Sequence, residues 1–489
     1  MRRLLTCTLL LLSGSLAAGQ SAGLQASQLR EDFDVLRRAV EEAHGGLDRF
    51  TSRADLDRVF AAAQARLTEP MTTLAFAAAL SEALAAIRDG HMRLEYDNAT
   101  VSSMATATML PLRVSHEAGR YVITSNDTAG DVTIQPGMEL TSVNARPIAG
   151  VVSAIIPKLS PDGFVETGRP WRLARAFAEN YWLYVEQAPT FTVVARTSEG
   201  REVTATLPGV TRAERAKNAS TNRVNAAMAA NAAKLDGSSD LISLTFEDAD
   251  AVGRLRVRAF DGGTFIADLD NAFATVRSRG SKALVLDLRG NGGGVDMYGA
   301  ALVSHFASQP FRYFDRIKVT TIKPSFATWK PSTFDDLRNG TIAAPGGGFL
   351  VQPALHPGVA EQQPASLPFL GKLAVLIDGG TFSTAADVCA QLRARTAAVF
   401  VGEETGGAAE GNTSGLNAQI VLPNSQLKLK VQMYGYWNAL GTSLASAKIA
   451  PRGRGTMPDF RVVRTVADTL AGRDAGVERA LAVLRPSKP

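Results

Sequence analysis

Along residues 24–98 the apolar positions recur at helical spacing. Leu29, Phe33, Leu36, Val40 and Ala43 stand three or four residues apart with charged residues between them. This predicts an amphipathic helix with Ser27 as its N-cap. Thr72-Thr73 opens a second, alanine-rich run, Leu74 to Ile87, and the glycine of Asp89-Gly90 is expected to end it. From 105 to 208 the pattern shortens and alternates. Arg120 to Thr124 reads as a strand, Pro136-Gly137 as a turn into another, and Asn144-Ala145 as a tight hairpin turn. Phe191 to Ala195 and Val203 to Leu207 read as a second hairpin, closed at Glu199-Gly200. Arg212 to Lys234 is rich in alanine, asparagine and charge, and reads as a linker or a surface helix. Beyond 240, strands and helices alternate. Ala283 to Leu288, Leu373 to Ile377 and Ala398 to Val401 are nearly continuous apolar runs, as buried strands of an α/β sheet are. Helical stretches separate them near Phe265 to Arg279, Met297 to Ser308 and Ser383 to Ala394.

These patterns divide the chain into a leader (1–19), a helical domain (24–98), a β module (105–208), a linker (209–239) and an α/β domain (240–485). With 45% hydrophobic and 20% charged residues over 489 positions, a disordered chain is excluded. The net charge of +5 includes Arg2 and Arg3; without them it is +3 (50 minus 47). No basic stripe interleaves with aromatics, so nucleic acid is not an expected partner. Met1-Arg2-Arg3, an apolar run from Leu4 to Leu12 and small residues up to Gly19 read as a secretory signal peptide cleaved near Ala18 or Gly19. The run is shorter than the roughly 20 residues a membrane span needs. No later segment is long enough either, so the mature chain is expected in the periplasm or secreted. Of Cys7 and Cys389 only Cys389 survives cleavage. That excludes an internal disulfide and a multi-cysteine metal site. No cofactor or metal is expected.

Three segments carry candidate chemistry. Leu286-Asp287-Leu288-Arg289-Gly290-Asn291-Gly292-Gly293-Gly294 places clustered glycines after a buried strand. Backbone amides there can converge on a phosphate or on the oxyanion of acyl transfer, or the run is a plain turn. Val295-Asp296-Met297 supplies no Lys-Ser/Thr follow-up for a phosphate. In Ile377-Asp378-Gly379-Gly380-Thr381-Phe382-Ser383 a strand ends, two glycines turn, and a serine opens a helix. Ser383 there is either an ordinary N-cap or an exposed nucleophile at a helix N-terminus. In Arg88-Asp89-Gly90-His91, His91 follows a glycine break, where a loop can present a base.

Taken in order from about residue 30 to 485, these segments resemble the C-terminal-processing (tail-specific) serine peptidases. The likeness is strongest to the branch containing the tricorn protease core and the interphotoreceptor retinoid-binding protein modules. It is carried by Asp34-Val35-Leu36, His44, Asp89-Gly90-His91, the run from Leu286 and the segment Gly379 to Ala385. Val401-Gly402-Glu403-Glu404-Thr405-Gly406-Gly407 and Pro458-Asp459 complete it. The resemblance implies an α/β, crotonase/ClpP-like catalytic domain with an N-terminal helical cap and a PDZ-like β module. It further implies Ser383 as nucleophile, His91 as general base, and an oxyanion site made by the Thr384 amide with that of Gly292 or Gly293. Peptide or protein substrates follow. The β module, through Ile134 to Asn144, is expected either to grip a peptide strand or to act as a packing spacer.

The chain departs from the family in three places. Ala408 stands where one branch has a lysine base, which points to the histidine branch. Gly90 replaces the serine that precedes the histidine there. No Asp or Glu lies between Gly411 and Pro458, where that branch has an orienting glutamate, so Glu404 and Glu403 are the nearest downstream candidates, with loop-fixing as their other reading. A non-proteolytic protein that binds an apolar ligand or peptide on the same scaffold is the competing expectation. A lipid or carbohydrate hydrolase is disfavoured, because Thr381 and Ala385 occupy the glycine positions of the Gly-x-Ser-x-Gly elbow.

Overall fold

The computed structural model describes residues 23–247, 252–441 and 451–485. The expected leader, 1–19, lies outside these. Three six-stranded sheets organise the described residues. The first holds the expected buried runs, with Lys372–Ile377 at its centre. Ala283–Asp287 and Val252–Val257 lie in parallel on one side of it, Val399–Gly402 and Phe460–Arg461 in parallel on the other. Ile242–Glu247 adds an antiparallel edge. Every residue of Ala283–Asp287 is buried, as a parallel strand covered on both faces must be. Its crossover helices are Phe265–Ser278, Asp296–Ser304 and Thr384–Arg395.

The second sheet is antiparallel and is built around the long strand Lys428–Asn438, flanked by Thr413–Val421 and Phe314–Val319. The N-terminal helices Ala26–Ala43, Arg53–Ala65 and Thr73–Ala85 pack with these two sheets in one continuous apolar cluster. Leu29, Phe33, Phe76, Leu255, Leu286, Val375 and Leu429 all belong to it. The helical segment therefore has no core of its own. Gln25, not Ser27, caps the first helix, exchanging hydrogen bonds with Gln28.

The third sheet, Leu112–Glu117, Arg120–Asn126, Glu139–Val143, Thr190–Arg196 and Glu202–Pro208, carries a separate core that includes Ile123, Leu140, Phe177, Tyr181 and Phe191. Asn144 and Ala145 both take positive φ, 46° and 60°, in the two-residue loop between Val143 and Arg146. The segment expected as a linker or a surface helix holds two helices, Arg212–Thr221 and Ala226–Asp236. The asparagines that give it a linker-like composition include two buried anchors. Asn222 donates to the carbonyls of Asn126, Thr128 and Asp131, and Asn225 to that of Asn126. Among the described residues no helix is long and apolar enough to cross a membrane.

Candidate active site

The nucleophile candidate sits at the C-terminal end of the central strand. After Ile377 the chain turns through Gly379 and Gly380, and both must be glycine for reasons of space. A Cβ on Gly379 would lie 2.7 Å from the Thr167 carbonyl oxygen, and one on Gly380 2.4 Å from the Trp171 ring. Ser383 then takes φ 53° and ψ −130°, a conformation that costs a non-glycine residue on the order of 1–3 kcal/mol. It occupies the N-cap position of Thr384–Arg395, yet its side chain caps nothing. The hydroxyl instead meets His91 Nε2 at 3.1 Å. The ordinary N-cap reading of this serine is thereby set aside, since its Oγ is turned out of the helix end.

His91 arrives from the N-terminal segment. The turn after Thr73–Ala85 is made by Arg88 at φ 61°, not by Gly90 as the sequence suggests. Gly90 is needed for a different reason: a Cβ there would fall 2.7 Å from the ring of Phe382, the residue before the serine. The His91 ring packs on that same phenyl group, 4.6 Å between centroids. The absent side chain at 90 thus lets the two halves of the dyad approach.

The carboxylate beside His91 is Asp89. Its Oδ1 accepts the His91 backbone amide at 2.8 Å and lies 3.7 Å from Nδ1, a buried ring nitrogen with no hydrogen-bond partner. Its Oδ2 accepts from His44 Nε2 at 2.7 Å and from the Thr413 hydroxyl. His44 Nδ1 accepts the Gly46 amide at 3.1 Å, which leaves the ring proton on Nε2, facing Asp89. Burial works against ionisation of Asp89. Its interactions with His44 and His91 outweigh it and hold the carboxyl well below the usual carboxylate range.

Glu403 and Glu404 do not serve this role. Glu404 is buried and clamped by Arg454 at 2.8 and 2.9 Å, and it accepts the backbone amides of Glu166 and Gly455. It fastens the β module to the α/β domain. Glu403 faces Arg461 at 4.0 Å, and both line a different cavity. The expected candidates lie downstream of Ser383, whereas the carboxylate that meets His91 lies two residues upstream of it.

The glycine run abuts the nucleophile. Gly293, at φ 99°, lies so close that a Cβ would be 2.6 Å from that of Ser383. Its amide donates to Asn291 Oδ1 at 2.8 Å, which removes Gly293 as an oxyanion donor. Among the described residues, the amides of Gly292, Gly294 and Thr384 have no such acceptor. Gly294 and Thr384 border the cavity that holds Ser383, and the Thr384 hydroxyl donates to the Gly294 carbonyl at 2.8 Å. Asn291, unremarked in the sequence, ties the two loops together. Its carbonyl accepts the Phe382 amide at 2.9 Å, and its side chain donates to the Val257 carbonyl at 2.9 Å.

A further brace comes from the β module. Asp162, buried, accepts the Gly90 amide at 3.2 Å on one oxygen and the Ala408 amide at 2.8 Å on the other. Arg172 donates to the Gly90 carbonyl at 3.1 Å. On the far side of the serine, Asp387 lies one helical turn below, gripped by Asn412 and Asn438, each at 2.8 Å. Burial raises its carboxyl to about 7; the charge of Asp296 adds to this and the Asn438 bond opposes it. Among the described residues no group of three or more His, Cys, Asp or Glu is arranged to hold a metal.

Comparison with known proteins follows the same lines. Residues 251–462 match the model of peptidase family S41. No curated protein matches the chain. The crystal structure of mature CPAF aligns with a TM-score of 0.65 at 16% identity, covering 94% of this chain and 96% of that one. The photosystem II D1 C-terminal processing protease aligns with a TM-score of 0.42 at 15% identity, over 93% and 97% of the two chains. The tricorn protease aligns at 0.38 and 11%, over 93% of this chain and 36% of its own. At these identities the likeness to CPAF speaks for the fold.

Proposed function

We propose that this chain, whose residues 251–462 match the model of peptidase family S41, is a serine peptidase that hydrolyses peptide bonds through an acyl-enzyme on Ser383, with His91 as general base. The observation that carries this reading is the contact of His91 Nε2 with a serine hydroxyl that caps no helix, at 3.1 Å. In the proposed cycle His91 takes the serine proton as Oγ attacks the scissile carbonyl, then returns it to the leaving amine. The amides of Thr384 and Gly294 receive the negative oxygen, a role the sequence reading gave to Thr384 with Gly292 or Gly293. Asp89 orients His91 and stabilises the imidazolium formed in that step. Its ionised state supports this assignment, because the positive ring gains a buried counter-charge 3.7 Å away.

The crotonase/ClpP-like description of the α/β domain and the PDZ-like description of the β module belong to this proposal, as do export behind a cleaved leader and the division of the chain near 98, 208 and 240. The module's own core and its two-residue turn at Asn144-Ala145 support its status as a folding unit. The binding-protein alternative rested on the missing orienting carboxylate. With Asp89 beside His91, the peptidase reading is favoured. The test is Ser383→Ala: it should abolish cleavage of a casein or peptide-library substrate, and labelling by a fluorophosphonate should be lost with it. An unmutated protein that neither cleaves nor labels at Ser383 would overturn the reading.

A further inference from the structure

A cavity of about 460 Å³ opens directly beside Ser383 and His91. Its walls have an unusual composition for a pocket that receives a neutral side chain. Phe314, Tyr434, Tyr436 and the His356 ring form an aromatic face, with Tyr436 in tilted contact with Phe314 at 4.7 Å and edge-on to His356 at 5.7 Å. Asp296 and Asp387 supply two carboxylates. Among the described residues that line it, none is Lys or Arg.

The charge on those walls is not cancelled from within. Asp296 Oδ2 accepts from His356 Nε2 at 2.8 Å and Oδ1 from the Met297 amide at 2.8 Å. His356 Nδ1 in turn accepts the Gly358 amide at 3.1 Å, so its ring proton is the one already facing Asp296. Both ring nitrogens of His356 are thus engaged, and it offers Asp296 a single hydrogen bond. Asp387 is held by two neutral amides, those of Asn412 and Asn438. Each carboxylate oxygen has a second lone pair available, since an ionised carboxylate offers about four acceptor sites. Partly desolvated carboxylates beside aromatic faces form a receptor for an ammonium or guanidinium group, with charge pairing and cation–π attraction acting together.

Position decides which part of a substrate enters. The cavity borders the Gly294 and Thr384 amides, which the proposed mechanism assigns to the scissile carbonyl oxygen. The side chain one bond from that carbonyl, on the acyl side, is therefore the one within reach. Asp387 lies four residues beyond Ser383 on one helix, about 6 Å along its axis. That depth suits an extended lysine or arginine side chain.

We propose that this cavity is the primary specificity pocket and that it selects lysine or arginine as the residue whose carbonyl is attacked, with Asp296 and Asp387 as the groups that recognise the cation. The proposal rests on the peptidase reading above and deepens it. The experiment incubates the full-length protein, and Ser383→Ala as a blank, with a mixed peptide library, and maps cleavage sites by mass spectrometry. Lys and Arg should be enriched at least 10-fold at the acyl position over their library frequency. Asp296→Asn should lower the Lys-over-norleucine ratio of kcat/KM by about 10-fold in matched peptides, and Asp296→Lys should shift preference towards Asp or Glu. Ser383-dependent cleavage without Lys or Arg enrichment would overturn the pocket and leave the peptidase reading standing. If nothing is cleaved the peptidase reading fails, and the pocket is then judged by binding. N-acetyl-lysine amide should perturb the nuclear magnetic resonance signals of Ser383→Ala more than N-acetyl-norleucine amide, and equal or absent effects would overturn it.

Discussion

Two histidine–aspartate pairs flank the serine, and locally they are built alike. In each, Nδ1 accepts a backbone amide two residues on, at 3.1 Å, and Nε2 faces a carboxylate, at 2.7 Å for His44–Asp89 and 2.8 Å for His356–Asp296. They differ in what surrounds the carboxylate. The His44–Asp89 side chains are 0% and 4% exposed, and the remaining oxygen of Asp89 turns to His91. The His356–Asp296 side chains are 12% and 23% exposed, and Asp296 looks into an open cavity. Sealed from water, the first arrangement holds a neighbouring ring in place. Opened to a cavity, the second is free to meet a ligand charge. The same hydrogen-bonded unit thus does positioning or recognition according to the dielectric around it.

This contrast can be broken from either side. The largest effect is expected from Asp89→Asn. It removes the charge facing His91 and leaves His44 without its ionic partner, so kcat should fall by 10²–10⁴-fold, with substantial loss of stability. Stopped-assay kinetics and thermal melts would check both. His44 is a positioning residue acting through Asp89. His44→Ala should lower kcat by roughly 10–100-fold with KM little changed and shift the acid limb of the pH–rate profile. His44→Gln, which keeps a donor at Nε2, should recover part of the loss. Failure of the pH limb to move would mean that His44 is only a packing residue.

Gly90→Ala should cost about 1–3 kcal/mol in chemical denaturation and reduce kcat, because the new methyl group meets the Phe382 ring at 2.7 Å. An unchanged rate would deny that close approach at 90 matters to the dyad. Stability against pH offers a gentler probe. The folded carboxyl of Asp89 is depressed, so its contribution is present above the unfolded value of about 3.9. It is lost as pH falls below that, when the unfolded chain takes up a proton the folded one refuses. Asp89→Asn should flatten that acid slope. The smallest change is expected in selectivity alone. Asp387 lies near about 7 and faces Asp296, Asp162 and His91 as well as the amides of Asn412 and Asn438. The Lys-over-norleucine ratio of kcat/KM should therefore rise a few-fold between pH 6 and 8 as Asp387 ionises. Taking the ratio cancels pH effects common to both peptides.

Much of the site was legible one segment at a time. The apolar runs named the three central strands, and the Gly379-Gly380 turn with Ser383 at a helix start singled out the serine. His91 stood out as a histidine on a loop after a helix. What escaped was the allocation of hydrogen bonds. The Gly293 amide belongs to Asn291, Glu404 to Arg454, and Asn222 and Asn225 to the β module. None of these partnerships follows from spacing. The Asp89 assignment was closer to hand, since Asp89 and His91 are two residues apart and His44 had been singled out as well.

Local chemistry along the chain was thus enough to specify the central buried strands, the Gly379-Gly380 turn and the serine and histidine that the structure brings together, because strand burial, turn geometry and helix starts are short-range properties. It could not specify which carboxylate serves His91, which amides remain free, or that Asp296 and His356 would face the serine across a cavity. Those outcomes depend on contacts between segments 45 to 324 residues apart, as in His44–Asp89 and Asp89–Thr413. There a polar group's role is set by which partner reaches it first once water is excluded.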